Sequence, residues 1–372
     1  MYYKREHLAT LRQELICHVG IENFNKISVE TRQMVENFET YKIGYSRFWI
    51  NKRTKEKVFR LKETKNPDEE YRRISAPKKE LKTLTKQINE KFAEFTKNRY
   101  YIKGFVKGEG VQSNAEYFRK YKEIKFGLNM DLENAFNQID FRNLKDFCKM
   151  VLGWNAKVSE KFAMLMTING EMVQGNPLSP TMLNLFAIPM DKEIIKMCKQ
   201  AKSPLLYTRY ADDVLIASRT KIDFKTFHNL NKIIKQFGFK VKKKKTKFMK
   251  SNVEITGIIL YNGRKWITKR GRKRKLVKKV RLMEHLEQLG LKTSNRLNKE
   301  GKPIKINCII TGIRAWLFPK SNNNNSKATK KVRVNTKTQT RSQKVADKTE
   351  REYDLYCLSN RHMMVRNLQH TT

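Results

Sequence analysis

The chain has 372 residues, 39% of them hydrophobic, enough for one large multi-lobed domain or two ordinary ones and too many for a disordered tail protein. Its 80 Lys and Arg against 36 Asp and Glu leave a formal net charge of +44, far beyond what solubility requires, and this implies a polyanionic partner. No apolar run approaches the roughly 20 residues of a spanning helix and the start lacks an apolar leader core, so nucleic acid is preferred to a membrane surface as that partner.

The five cysteines, Cys17, Cys148, Cys198, Cys308 and Cys357, are scattered without a Cys-x-x-Cys pair. Neither a disulfide framework nor a zinc site is indicated, and a reducing cytoplasm is the expected home.

In chain order, residues 1–40 carry Leu8, Leu11, Leu15, Phe24, Ile27, Val35 and Phe38 at helical spacing and predict a helical N-terminal extension. Residues 41–125 mix short strands with a helix around 81–88 and include Arg72-Arg73-Ile74-Ser75-Ala76-Pro77. Residues 126–262 alternate strands with helices, an α+β pattern. There Asp131 ends a short apolar strand-like run.

In Gln174-Gly175-Asn176-Pro177-Leu178-Ser179-Pro180 the glycine would let the backbone approach a ligand. Ser179 and Pro180 suit an N-cap and first helical position. Met182, Leu185, Phe186, Met190 and Ile194 follow at helical spacing and read as core rather than a cofactor box.

Tyr210-Ala211-Asp212-Asp213 then puts two adjacent carboxylates in a tight turn between β-rich segments, where unpaired charge is costly and a cation must offset it. At a turn two neighbours can converge on one site, and Asp131 supplies a third carboxylate for two Mg²⁺ ions. Beyond it lie a lysine run, Lys242 to Lys245, and Asn262-Gly263, a hairpin signal between β-rich segments. A basic helical stretch over 269–281 and an apolar helix over 309–318 follow. From Ser321 the composition shifts to a basic low-complexity linker over 321–349. A 350–372 tail comes next, with Tyr353, Leu355, Tyr356, Leu358 and Met363 as a short docking helix.

Four blocks in this order resemble the reverse transcriptases: Met130 to Phe136, Gln174 to Pro180, Tyr210 to Asp213, and Gly238 to Thr246. The resemblance covers roughly residues 45–320 and implies a right-hand polymerase, with fingers over 41–125 and a catalytic palm with a primer-grip-like hairpin over 126–262. A thumb over 263–320 completes it.

The resemblance further implies roles. Asp131, Asp212 and Asp213 would be catalytic and hold two Mg²⁺, with Mn²⁺ as a substitute. Lys245 would stand near the pyrophosphate leaving group, although the contiguous lysines leave the register open. Arg72, with Arg73 competing, would grip the triphosphate, where a guanidinium binds phosphate oxygens bidentately. Phe136 would exclude a 2′-hydroxyl, and Gln174 would contact the incoming nucleotide. Lys265, Trp266, Lys269, Arg272, Lys275 and Lys279 would track an RNA–DNA hybrid.

Among bacterial members the chain looks most like retron enzymes, which copy a structured noncoding RNA template into RNA-linked single-stranded DNA from dNTPs. Absence of an endonuclease, protease or RNase H motif argues against a retroviral polyprotein. Retron enzymes carry Asn-Ala-x-x-His and Val-Thr-Gly, which here read Asn114-Ala115-Glu116-Tyr117-Phe118 and Ile255-Thr256-Gly257. An effector protein and a role in phage defence would follow from that resemblance. The alternatives are a group II-intron-like or abortive-infection-type enzyme, or a non-catalytic RNA-binding protein on the same scaffold.

Overall fold

The computed structural model describes residues 4–54, 56–59, 70–121, 123–261, 265–268, 270–288, 293–297 and 303–317. The 321–372 segment lies outside them, with the Asn262-Gly263 turn, Lys269 and Cys357.

The chain opens with α1 (Arg5–Val19) and α2 (Ile21–Asn37), whose buried Leu8, Leu11, Leu15, Phe24, Ile27 and Val35 join the main core. Next come β1 (Tyr45–Asn51), β2 (Lys57–Val58) and β3 (Tyr71–Pro77), antiparallel in the order β2-β1-β3. Then α3 (Lys79–Phe92) buries Leu81, Leu84, Ile88 and Phe92, and α4 (Val111–Arg119) buries Asn114, Ala115 and Phe118.

The central sheet begins with β4 (Phe126–Asp131). After it come α5 (Phe141–Asp146), α6 (Ala156–Met166), the small pair β5 (Thr167–Ile168) and β6 (Glu171–Met172), and α7 (Ser179–Gln200). The sheet is completed by β7 (Leu205–Tyr210), β8 (Asp213–Ser218) and, after α8 (Phe224–Gln236), β9 (Lys247–Lys250). Its order is β7-β8-β4-β9, all antiparallel.

Because side chains alternate across a strand, β8 feeds two cores. Val214 and Ile216 join Leu128 and Met130 in the main core with α7 and α8, while Leu215 and Ala217 face a second cluster. The central strand is thus apolar on both faces, and only its end admits carboxylates.

The second cluster is roofed by β10 (Asn252–Ile255) and β11 (Ile258–Tyr261), paired antiparallel with β12 (Lys265–Thr268). Thr256 and Gly257 join β10 to β11, both at positive φ, as a two-residue type I′ hairpin demands. Phe118, where the retron pattern has histidine, is fully buried in this cluster with Ile255 and Ile258. The exchange therefore exchanges a polar ring for packing. Finally α9 (Arg270–Gln288), the antiparallel pair β13 (Thr293–Leu297) and β14 (Pro303–Lys305), and α10 (Ile306–Leu317) form a smaller core around Val280, Ile306 and Ile310.

Two local expectations are revised. Ser179 is the first residue of α7 rather than its cap. Asn176 takes the capping task, its Oδ1 accepting from Leu178 N–H at 2.9 Å and its carbonyl from Ser179 N–H at 3.2 Å. Gly175, at φ 112°, is required by the packing of its own protein: a Cβ there would meet Ile74 Cγ2 at 2.8 Å and the Ser75 carbonyl at 2.9 Å. No described helix is long and apolar enough to cross a membrane. Among the described residues Cys17, Cys148, Cys198 and Cys308 are free.

Candidate active site

Tyr210 pairs with Asp213 across β7 and β8, so the connection is only Ala211 and Asp212. Ala211 carries φ 59° while Asp212 has no positive φ, which matches a type II′ turn with alanine in the position glycine usually fills. Left-handed backbone at a residue with a Cβ costs about 1–2 kcal/mol and persists only where the surroundings hold it.

The register then sets the site. Asp131, last in β4, lies directly opposite Asp213, first in β8, so two like charges face each other across the ladder. The end of β4 is tied on both sides: Leu132 N–H donates to the Asp212 carbonyl at 2.8 Å, and Lys242 N–H to the Asp131 carbonyl at 2.8 Å. Burial first, then repulsion from Asp212 and Asp131, pushes Asp213 up to about 6. Burial is also the main cause that raises Asp212, with Asp131 adding to it and Lys245 and Arg72 pulling the other way.

Beneath the turn a guanidinium is wholly buried. Arg209 donates from Nε to Asp191 Oδ1 at 2.9 Å and from Nη2 to Asp191 Oδ2 at 2.8 Å, a bidentate pair with α7 in which both side chains are 0% exposed. Its Nη1 donates to Asn184 Oδ1 at 2.8 Å and to the Ala211 carbonyl at 3.1 Å. Burial opposes the charge on Arg209, but Asp191 outweighs it and raises the pKa further. Asn184 completes the brace by donating from Nδ2 to the Gly104 carbonyl at 2.9 Å. Gly104 is pressed on the turn so closely that a Cβ would lie 2.4 Å from Ala211 N.

Around the carboxylates stand the expected cations. Lys245 Nζ donates to Asp131 Oδ2 at 2.7 Å, so in this arrangement the half-exposed lysine neutralises a carboxylate. Arg72 is exposed on β3, within electrostatic reach of Asp212, while Arg73 is drawn aside to Glu171 at 3.4 Å. Gln174 is anchored to β3 through its carbonyl, which accepts from Ser75 N–H at 2.7 Å, and its Nε2 donates to Asn137 Oδ1 at 3.3 Å. Asn137 adjoins Phe136, which is partly buried against the main core.

The donor chemistry fits a hard divalent cation. Three carboxylates repel one another, two have raised pKa values, and an ammonium already sits on the third. Among the described residues no group of three or more His, Cys, Asp or Glu is ready-made to hold an ion, and an ion taken up by Asp131 would compete with the Lys245 ammonium for its Oδ2.

Of the residues expected to meet nucleic acid, Lys265 and Trp266 fall on β12, and Arg272, Lys275 and Lys279 on α9. Lys269 is outside the described residues. Sequence reasoning missed Arg209, Asn184, Asp191 and Gly104. Only Arg209, a charge inside an apolar strand, carried a local signal.

A four-stranded antiparallel sheet packed against helices, with clustered carboxylates at a strand end, defines a polymerase of the right-hand class. The family model for reverse transcriptase (RNA-dependent DNA polymerase) matches residues 62–260, and the chain belongs to that family. Its relatives include the retron Ec86 reverse transcriptase of Escherichia coli, 26% identical over 68% of this chain and 76% of that protein. The retron Se72 reverse transcriptase of Salmonella heidelberg is 25% identical over 58% of this chain, and the match spans 58% of that relative's length. Among solved structures, a telomerase from Candida albicans with the TWJ fragment of telomeric RNA aligns at TM-score 0.39 and 14% identity, over 66% of this chain and 51% of that one.

Proposed function

We propose that the chain is an RNA-directed DNA polymerase of the retron type, extending a primer with dNTPs on a structured noncoding RNA and leaving RNA-linked single-stranded DNA. The observation that carries the reading is the meeting of Asp131 and Asp213 across one ladder with Asp212 beside them, inside the family-matched region. The two retron relatives favour the subgroup.

In this reading residues 41–125 are fingers, 126–262 the palm and 263–320 the thumb, with residues 1–40 a helical extension. Asp131, Asp212 and Asp213 hold two Mg²⁺, which when bound stabilise the attacking and leaving oxygens of an in-line displacement. Lys245, once released from Asp131, faces the leaving pyrophosphate, where an ammonium donates a proton or offsets charge. Arg72 grips the triphosphate, Gln174 contacts the nucleotide and Phe136 walls off its 2′ position. Lys265, Trp266, Lys269, Arg272, Lys275 and Lys279 follow the hybrid's backbone, adding affinity without sequence preference. An effector protein and phage defence extend the reading through the same resemblance.

The test is to express the protein with its native flanking locus, extract bound nucleic acid and run denaturing gels with and without RNase and DNase. A discrete short DNA whose mobility shifts when its RNA is digested is the expected result. Heterogeneous nucleic acid, or RNA without attached DNA, would overturn the retron assignment; no extension of any template-primer would overturn the polymerase.

A further inference from the structure

The segment before α4 is fastened to the outer edge of β7. Arg209 N–H donates to the Tyr101 carbonyl at 2.8 Å, Lys103 N–H donates to the Arg209 carbonyl at 2.8 Å, and Ile102 bridges Arg209 in parallel. Gly104 then lies against the turn with its carbonyl held by Asn184. These contacts fix the backbone that leads into the next residue.

That residue is Phe105, at φ 63° and 52% exposed. Both facts run against the fold's own interest: positive φ disfavours a bulky side chain, and half of an apolar ring meets water. Glycine or asparagine would satisfy the backbone better. Among the described residues the ring nevertheless has an aromatic neighbour near the site, Phe136, with centroids 6.3 Å apart and planes at 61°, an edge-to-face contact. Strained backbone beside a reactive centre is where a functional constraint is to be sought.

We propose that Phe105 is a positioning residue for sugar selectivity, its ring setting the orientation of the Phe136 wall against the 2′ position of an incoming nucleoside triphosphate. This rests on the reading of Phe136 given above. An edge against one side of Phe136 restricts the ring's rotation, and a wall that turns aside would admit a 2′-hydroxyl. The backbone of Phe105 is locked to the carboxylate turn through Gly104, so the wall is referenced to the same frame as the chemistry.

The experiment measures kcat/KM for dNTP and rNTP addition on an RNA template-primer, for the full-length wild-type chain, Phe105→Ala, Phe105→Gly, Phe136→Ala and Phe105→Ala/Phe136→Ala. The dNTP/rNTP ratio should fall about tenfold in both Phe105 variants and further in Phe136→Ala, with the double variant no worse than Phe136→Ala. Phe105→Gly should melt above Phe105→Ala, because glycine relieves the positive φ, yet lose selectivity equally.

An unchanged ratio in the Phe105 variants while Phe136→Ala relaxes it overturns this proposal alone. So does a multiplicative loss in the double variant. An unchanged ratio in Phe136→Ala overturns the gate reading and this proposal with it, and failure of the wild-type chain to extend any primer removes the polymerase reading itself.

Discussion

Two ion pairs flank the candidate site and differ in every respect that matters. Arg209 and Asp191 meet at 2.8 Å with both side chains 0% exposed, whereas Arg73 and Glu171 meet at 3.4 Å with 44% and 46% exposure. The first holds the carbonyl of Ala211 and so the carboxylate turn; the second sits beside Arg72 on a strand of the three-stranded sheet. Order is concentrated where negative charge must be kept close together against its own repulsion. Arg72 and Arg73 are left in water, where a long side chain can change partners at little cost.

The sharpest way to break this comparison is at the carboxylates. On the proposed two-metal reading, Asp212→Asn or Asp213→Asn should lower primer extension at least about 10³-fold, since an amide would not replace the charge that reading assigns to metal binding. Retained activity in steady-state assays would show that the turn is not the reactive centre.

The same variant carries a pH prediction. Asp213 is pushed up to about 6 when folded, above the roughly 3.9 of an exposed aspartate. The folded chain therefore binds more protons than the unfolded one between about pH 4 and pH 6, and stability falls as pH rises through that window. In EDTA, the Tm advantage of Asp213→Asn over wild type should grow from about pH 4 to about pH 7; a constant difference would refute the strain.

Next in size is the brace. Arg209→Ala leaves the buried Asp191 charge without its cation, with the Tyr207 hydroxyl still donating to Oδ1, and should cost about 3–5 kcal/mol by denaturant unfolding. Gly104→Ala is a finer probe, because the new Cβ would lie 2.4 Å from Ala211 N and 3.0 Å from Tyr210 C, both backbone atoms. A turn displaced by about 1 Å should lose on the order of 10²-fold in kcat. Wild-type kinetics would show that the close approach does not position the carboxylates.

The exposed arginines should behave in the opposite way. Arg72→Ala is expected to raise KM for dNTPs about tenfold with Tm unchanged, consistent with one lost charge-assisted phosphate contact. Arg73→Ala should do least, with less than about 0.5 kcal/mol of stability lost, as for most exposed pairs. A large Tm loss in either would erase the distinction between ordered anions and solvated cations.

Much of the site was legible in the chain itself. Asp131, Asp212 and Asp213 stand out because carboxylates interrupt apolar β-rich runs, and Met182, Leu185, Phe186, Met190 and Ile194 keep helical period and are all fully buried. These are local signals, set by neighbours a few residues away. The Thr256-Gly257 turn, by contrast, emerged only from the structure, where both residues take positive φ.

Other features had no local signature. The Arg209–Asp191 pair spans 18 residues and Asn184 reaches Gly104 across 80, so neither follows from any periodicity. Gly175 yields to Ile74 and Ser75, Lys245 lies on Asp131, and Phe105 meets Phe136. What the sequence alone determined is which residue types must sit at strand ends, turns and helix faces, because propensity and hydrophobic period act over one or two turns of chain. Which buried cation holds the carboxylates, and which ring stands against Phe136, was decided only by the tertiary structure, because burial makes a polar group take whatever partner the packing brings within reach.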